Sequence, residues 1–244
     1  MKKLWIRNTV DERRAMIGQA VLAHKGMSEL AVEKDWWVTV ILQALFRCGC
    51  SGSLMFKGGT SLSKAWGVID RFSEDIDLAI SHSFFGIDKT TRSQKEKLRK
   101  MSRAYIHGTL SAELEAQLQA MGVEGYRIEN KTHVQNRRGE LEPVDSDKDP
   151  TVILVHYPTI CKDLADYIPP TVKIEISCLS MDVPVEVRTI RSYIEETFPG
   201  EDGGDCGPIP DGGAFAHVPG EDFPSGGGVP EGSPEACANE PASL

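Results

Sequence analysis

From Gly200 to Leu244 the sequence has no lysine and no arginine, yet those 45 residues carry nine acids. The whole chain of 244 residues has a formal net charge of −9, from 36 acidic and 27 basic side chains. Without that segment the count is 27 acids to 27 bases, so residues 1–199 are neutral. A neutral domain argues against a strongly electrostatic, non-specific nucleic-acid binder, while leaving room for a local basic patch. The same segment is short of large apolar residues, with only Ile209, Phe215, Val218, Phe223, Val229 and Leu244. It holds 11 of the 23 glycines and 7 of the 14 prolines. Burial there cannot repay the entropy of ordering, so residues 200–244 are expected to be a disordered acidic tail.

Long hydrophobic runs are also missing. None approaches the ~20 residues needed to cross a bilayer. The basic N-terminus, Met1 to Arg7, has no apolar core behind it and does not read as a signal peptide. The six cysteines (Cys48, Cys50, Cys161, Cys178, Cys206 and Cys237) form no C-x-x-C and no zinc spacing. Reduced thiols in a cytoplasm, with no membrane partner, are the simplest expectation.

Residues 1–199 have the composition of an ordinary domain. Apolar periodicity predicts a helix over 9–24 and a second over 28–47, with Ser28 as its N-cap. A short strand at Leu54–Phe56 leads to Gly58-Gly59 and a short helix from Ser61 to Trp66. Asp75 to Ile80 alternates acidic and apolar residues, the period-2 signature of a half-buried strand. A charged helical stretch over 90–120 is expected to break at Gly108. Its basic face (Arg92, Lys95, Lys97, Arg99, Lys100 and Arg103) reads as a solvated surface ahead of an RNA contact. Further strands are expected over Tyr126–Val134, Thr151–Tyr157 and Val172–Cys178, with a polar hairpin or loop over Asn136–Pro150. Val185 to Thr197 reads as a strand or strand-to-helix element. There is no internal repeat. Helices first and then a mixed β-sheet flanked by helices make the fold class α+β.

The chemistry is concentrated in Phe56-Lys57-Gly58-Gly59-Thr60-Ser61-Leu62-Ser63-Lys64 and Phe72-Ser73-Glu74-Asp75-Ile76-Asp77-Leu78. Two glycines after a strand let the backbone turn sharply and approach a ligand closely. Thr60 and Ser61 then open a helix, whose N-terminal amides favour phosphate. Asp75 and Asp77 lie two apart on a strand, so their side chains share a face. Adjacent carboxylates repel unless a cation sits between them, as a Mg²⁺ pair on nucleotide phosphates does. Glu175, a lone acid between Ile174 and Ile176, is the best candidate for a third carboxylate, ahead of the reading in which it simply faces solvent. Gly-Gly-Thr-Ser alone is a capped turn, and a lone D-x-D is usually surface. Their succession about 15 residues apart points to nucleotide chemistry.

Gly-Gly-Thr-Ser followed by Ser-Glu-Asp-Ile-Asp-Leu resembles the DNA-polymerase-beta-like nucleotidyltransferases. More specifically it resembles the AbiEii/AbiGii (MenT-like) toxins of type IV toxin–antitoxin and abortive-infection systems. Glu33-Lys34-Asp35-Trp36-Trp37-Val38 is similar to a segment that precedes the glycine motif in that family. Val172-Lys173-Ile174-Glu175-Ile176 is similar to its third-carboxylate strand. The likeness spans roughly residues 10–200. It implies transfer of a nucleoside monophosphate from an NTP to an acceptor, such as the 3′ end of tRNA, and a cognate antitoxin encoded nearby. It implies that Gly58, Gly59, Thr60 and Ser61 hold the triphosphate, with Lys57 and Lys64 as weaker phosphate-contact candidates. It further implies that Asp75 and Asp77 bind two Mg²⁺ ions and that Glu175 helps activate the acceptor hydroxyl.

The family normally continues with a helix carrying a Glu-Lys pair and a later Arg-Asp-x-x-Asp-like helix. Neither pattern occurs after Gly200. Read one nucleotide later, Phe215 to Val229 is compatible with a helix containing Glu-Lys; the Glu221–Asp222 junction then encodes Lys or Arg. The expectation is that the tail is frameshifted, that the domain in residues 1–199 is incomplete on its C-terminal side, and that this copy is weak or inactive. A natural acidic linker is the plain alternative. The rival functions are a non-catalytic remnant that binds NTP or antitoxin, and a nucleotidyltransferase acting on a small molecule such as an antibiotic.

Overall fold

The computed structural model describes residues 4–69, 73–87, 91–145, 148–161, 169–179, 185–199 and 214–217. Helix α1 (Val10–Ala23) opens at Thr9 with a capping box: the Glu12 N–H donates to Thr9 Oγ1, and the Thr9 N–H donates to Glu12 at 2.8 Å. Helix α2 (Glu29–Leu45) opens at Ser28, whose Oγ accepts the Ala31 N–H at 3.2 Å. All of α2 except Glu29 is buried, charged residues included. A helix enclosed on every side needs neighbours on every side. Those of α2 are α1, α5 (Ser111–Ala120), α6 (Tyr193–Thr197) and strand β7 (Thr171–Ser177).

The main sheet has seven strands in the order β3-β6-β7-β2-β1-β9-β8. They are β1 (Leu54–Lys57), β2 (Ile76–Ile80), β3 (Arg127–Asn130), β6 (Thr151–His156), β7, β8 (Val185–Arg188) and β9 (Ala214–His217). The sheet is mixed, because β2 pairs parallel with β7 and antiparallel with β1. Alternation decides the two faces. Val172, Ile174 and Ile176 of β7 are buried, and Lys173 and Glu175 take the other face. Ile76 and Leu78 are buried while Asp77 between them is only partly so.

Three expectations change in detail. The long helix does not break at Gly108. Helix α4 (Arg92–Tyr105) runs through a π-helical turn, Ile106–Leu110, into α5. One wide turn absorbs an extra residue and keeps the backbone hydrogen-bonded. Tyr126–Val134 is not one strand, because after Asn130 the residues Lys131, Thr132 and His133 offer no apolar face to the sheet. The chain leaves it and forms β4 (His133–Gln135), which pairs with β5 (Leu141–Pro143) in a separate hairpin. Arg103 of α4 braces that hairpin, donating to the carbonyls of Val144 (3.2 Å) and Lys148 (2.9 Å). The basic helix face is thus partly structural, and Lys100 pairs with Glu96 at 2.8 Å.

Within the segment expected to be disordered, Ala214–His217 is a strand. It pairs parallel with β1 at Phe56↔Ala216 and antiparallel with β8. Ala-Phe-Ala-His is free of glycine, proline and acid, and the edge of β1 offers it unpaired backbone groups. The rest of 200–244 lies outside the described residues, as does the Glu-Lys helix of the alternative reading frame. Among the described residues no helix is long and apolar enough to cross a membrane. Cys48, Cys50, Cys161 and Cys178 are buried free thiols. Burial pushes the Cys178 thiol up to about 11. Cys206 and Cys237 lie outside the described residues.

Candidate active site

Strands β2 and β7 run parallel in a register that sets Asp77 directly beside Glu175. Asp75, just before β2, adds a third carboxylate to the same face. Lys173, two residues before Glu175, projects with them. Its Nζ lies 2.7 Å from Glu175 Oε1 and 3.6 Å from Asp75 Oδ2. The hydrogen bond to Glu175 raises the Lys173 pKa, and the charge of Asp75 adds to it. Asp77 is left with the excess negative potential. Burial raises its pKa first, then the charges of Glu175 and Asp75; Lys57 and Lys173 oppose this. Lys57 stands opposite Asp77 across the β1–β2 ladder.

The end of β1 meets Asp77 at Gly58, which has φ +76°. A Cβ on Gly58 would stand 2.2 Å from Asp77 Oδ2 and 2.9 Å from the Asp77 Cβ. Only glycine allows both the left-handed backbone and this approach. Gly58→Ala is therefore expected to destabilise the fold by about 1–3 kcal/mol and to push Asp77 out of place. Urea denaturation reads the first effect and divalent-cation titration the second; a variant matching the parent in both would refute the contact.

Helix α3 (Gly58–Lys64) turns the motif over the start of β2. The Thr60 hydroxyl donates to the Asp75 carbonyl and lies 2.8 Å from Ser73 Oγ. Thr60 thereby ties the glycine turn to the acidic segment. Ser61 is buried, and its hydroxyl has no hydrogen-bond partner among the described residues.

A frame behind these groups comes from three consecutive charges of α2. Glu33 accepts from the Thr159 hydroxyl (2.5 Å) and the Ile160 N–H (2.9 Å). Lys34, only 2% exposed, donates to Glu74 at 2.7 Å, next to Asp75. Asp35 pairs with Lys64 and accepts the Tyr193 N–H at 2.8 Å. Lys64 also donates to the Arg191 carbonyl at 3.0 Å. One helical turn of α2 thus holds the loop after β6, the acidic segment, the end of α3 and the start of α6. The sequence signal for this frame was three adjacent charges inside an otherwise apolar helix.

The family model for the nucleotidyl transferase AbiEii toxin of type IV toxin–antitoxin systems matches residues 40–208. The chain belongs to the AbiEii family. Among solved structures, the nucleotidyltransferase toxin MenT4 of Mycobacterium tuberculosis is similar at 19% identity with a TM-score of 0.38. That similarity covers 73% of this chain and 48% of MenT4, so the chain spans about half of that toxin's length. No curated protein matches the chain. The AbiEii match runs past residue 199, the boundary drawn from composition.

In this AbiEii chain the structure brings Lys57, Gly58, Asp75, Asp77 and Glu175 together, and Thr60 is bound to the same segment. Gly59 and Ser61 lie in the first turn of α3, contiguous with them. Lys64 is not part of this group: it is 5% exposed and committed to Asp35. Lys173 is a charged member of the site that sequence reasoning missed. Its position two before Glu175 on one strand was the available signal.

The donor set is chemically suited to Mg²⁺, which prefers carboxylate oxygen. Among the described residues no three His, Cys, Asp or Glu side chains close into a ready-made cage. Mg²⁺ in nucleotide enzymes uses one or two carboxylates and completes its shell with water and substrate phosphates. The clustered carboxylates fit that mode rather than an all-protein site.

Proposed function

We propose that this AbiEii chain transfers a nucleoside monophosphate from an NTP to the hydroxyl of an RNA acceptor such as a tRNA 3′ end. The observation that carries the reading is the parallel pairing of Asp77 with Glu175 on β2 and β7, with Gly58 packed against Asp77. Membership of the AbiEii family supports reading the chain as a nucleotidyltransferase toxin of a type IV system. A cognate antitoxin is accordingly its expected partner, and a reducing cytoplasm suits its buried free thiols.

The backbone of Gly58 to Ser61 would receive the triphosphate, using the close approach that the left-handed Gly58 permits. Lys57 adds positive charge at the end of β1. Asp75 and Asp77 would hold Mg²⁺ against the phosphate oxygens, and when bound the metal would offset charge on the reacting phosphoryl group. Glu175 would orient the acceptor hydroxyl and take its proton as the oxygen attacks the α-phosphorus and pyrophosphate leaves. Lys173, 2.7 Å from Glu175 Oε1, would hold that carboxylate in position. Residues 1–199, extended to the end of the AbiEii match, would form the catalytic unit.

The test is direct. The full chain is incubated with Mg²⁺, each α-labelled NTP in turn, and total tRNA. Label entering RNA with one or more NTPs is the expected result. Mg²⁺-dependent NTP binding with no label in any acceptor would replace the reading with a non-catalytic nucleotide binder.

A further inference from the structure

A cleft of about 200 Å³ opens beside Glu175, on the side away from the glycine turn. Val134, from the β4–β5 hairpin, and Val152, from β6, are among its apolar lining. Lys131, Lys148, Lys173 and Glu175 line it as well. The strand order accounts for the position. From β1, which carries the glycine turn, the sheet runs through β2 with Asp77 and β7 with Glu175 to β6. With strands ~4.8 Å apart, the glycine turn and the cleft lie roughly 14 Å from each other, with the carboxylates between them.

Phosphoryl transfer needs the attacking and leaving oxygens roughly in line. If the triphosphate lies on the glycine turn, the attacking hydroxyl must come from the opposite side of the carboxylates. The cleft is on that side. Its chemistry suits the backbone of a nucleic acid: the ammonium groups of Lys131 and Lys148 for phosphates and valine side chains for a base or sugar. It is smaller than the ~300–1,000 Å³ of pockets that enclose whole drug-sized ligands, so it suits the end of an extended strand. Rigidity is built in, because Arg103 clamps Val144 and Lys148 from α4.

We propose that this cleft is the acceptor-strand site, in which Lys131 and Lys148 bind phosphates of a single-stranded RNA and deliver its terminal hydroxyl to Glu175. The proposal rests on the nucleotidyltransferase reading above and adds the residues that select a polyanionic acceptor.

The test uses the full chain, a 5′-fluorescein single-stranded RNA 12-mer with a free 3′ hydroxyl, and a Mg²⁺-bound non-hydrolysable NTP. K131E/K148E is expected to weaken RNA binding about tenfold or more, read by fluorescence anisotropy. K131Q/K148Q should fall between it and the parent, and its salt-dependence slope should drop by about 1.4, or ~0.7 for each phosphate that a lysine no longer neutralises. K131R/K148R should bind like the parent. NTP binding should be unchanged in all three, because neither lysine lies near the glycine turn. Both lysines are at least partly exposed, and thermal melting checks that the variants fold. Unchanged RNA affinity in K131E/K148E would overturn the proposal. So would weakened NTP binding with RNA binding intact, which would make the cleft a nucleotide pocket. A parent that binds NTP but no RNA also overturns it, leaving the nucleotidyltransferase reading standing. A parent that binds neither sinks that reading as well.

Discussion

Asp77→Asn is expected to reduce NTP-dependent labelling of RNA by about three orders of magnitude while leaving the fold intact. The substitution keeps the shape and removes one charge. A metal on the transferring phosphoryl group contributes several kcal/mol of charge stabilisation, and each ~1.4 kcal/mol is a factor of ten in rate. Stability should move the other way. Burial and the charges of Glu175 and Asp75 raise the Asp77 pKa above its ordinary 3.8, so in the metal-free protein its charged form opposes folding. Below pH 3.8 the carboxyl is protonated in both folded and unfolded states and the opposition is absent. It grows as pH rises through the raised folded value and stays at full size above it. In EDTA at neutral pH the Asn variant should therefore melt no lower than the parent, and the difference between them should vanish near pH 3. A lower melting temperature for the variant at neutral pH would mean that Asp77 is structural. Retained labelling would remove it from the metal site.

Asp35→Ala is expected to cost about 3–5 kcal/mol of stability, the range for stripping one partner from a buried ion pair. Lys64 and Asp35 are 5% and 3% exposed, so the ammonium left behind has little access to water. The Tyr193 N–H loses its acceptor at the same time. For a chain of this size the melting temperature should fall by roughly 6–20 °C. Asp35→Asn should be milder, since its one amide oxygen can still accept from either Lys64 or the Tyr193 N–H. Replacing the pair together, as D35L/K64M, should recover part of the loss, because no unpaired charge then remains. NTP binding by whatever fraction of D35L/K64M stays folded should match the parent. A specific loss there, with folding restored, would return Lys64 to the phosphate-binding group.

The two predictions separate residues that the sequence places side by side. Lys57 and Lys64 flank the same glycine motif, and both are plausible phosphate ligands on spacing alone. The helical turn between them points them to different places. Lys57 faces Asp77 across the β1–β2 ladder, whereas Lys64 is carried to the far end of α3, against α2. Spacing along the chain does not contain that information, because it depends on where α2 packs. Glu33, Lys34 and Asp35 show the same limit. Three adjacent charges reveal that something is unusual, but their three separate partners lie at 159–160, 74 and 64.

Local order was legible for physical reasons. Ser28 caps α2 because its oxygen reaches the Ala31 N–H, a relation within three residues. The acidic and apolar alternation of 75–80 marks β2 because side chains on a strand alternate faces. The Gly58-Gly59 turn was readable because only glycine tolerates the left-handed backbone and close approach at Gly58. Glu175 could be named as a lone acid in an apolar strand, and its own neighbours already put it on the open face.

By itself, then, the sequence determined most of the elements, the neutral charge of residues 1–199, and which residue types could serve phosphate and metal chemistry. Those properties depend on neighbours a few positions apart. Tertiary structure alone decided that Asp77 meets Glu175, since β2 and β7 are nearly a hundred residues apart and join only through sheet register. It alone committed Lys64 to Asp35, brought Lys173 into the site and built a cationic cleft from the β4–β5 hairpin. It also recruited Ala214–His217 into the sheet from a segment whose composition argued against order. In each case the deciding energy is an interaction between distant parts of the chain, which no local pattern of residues encodes.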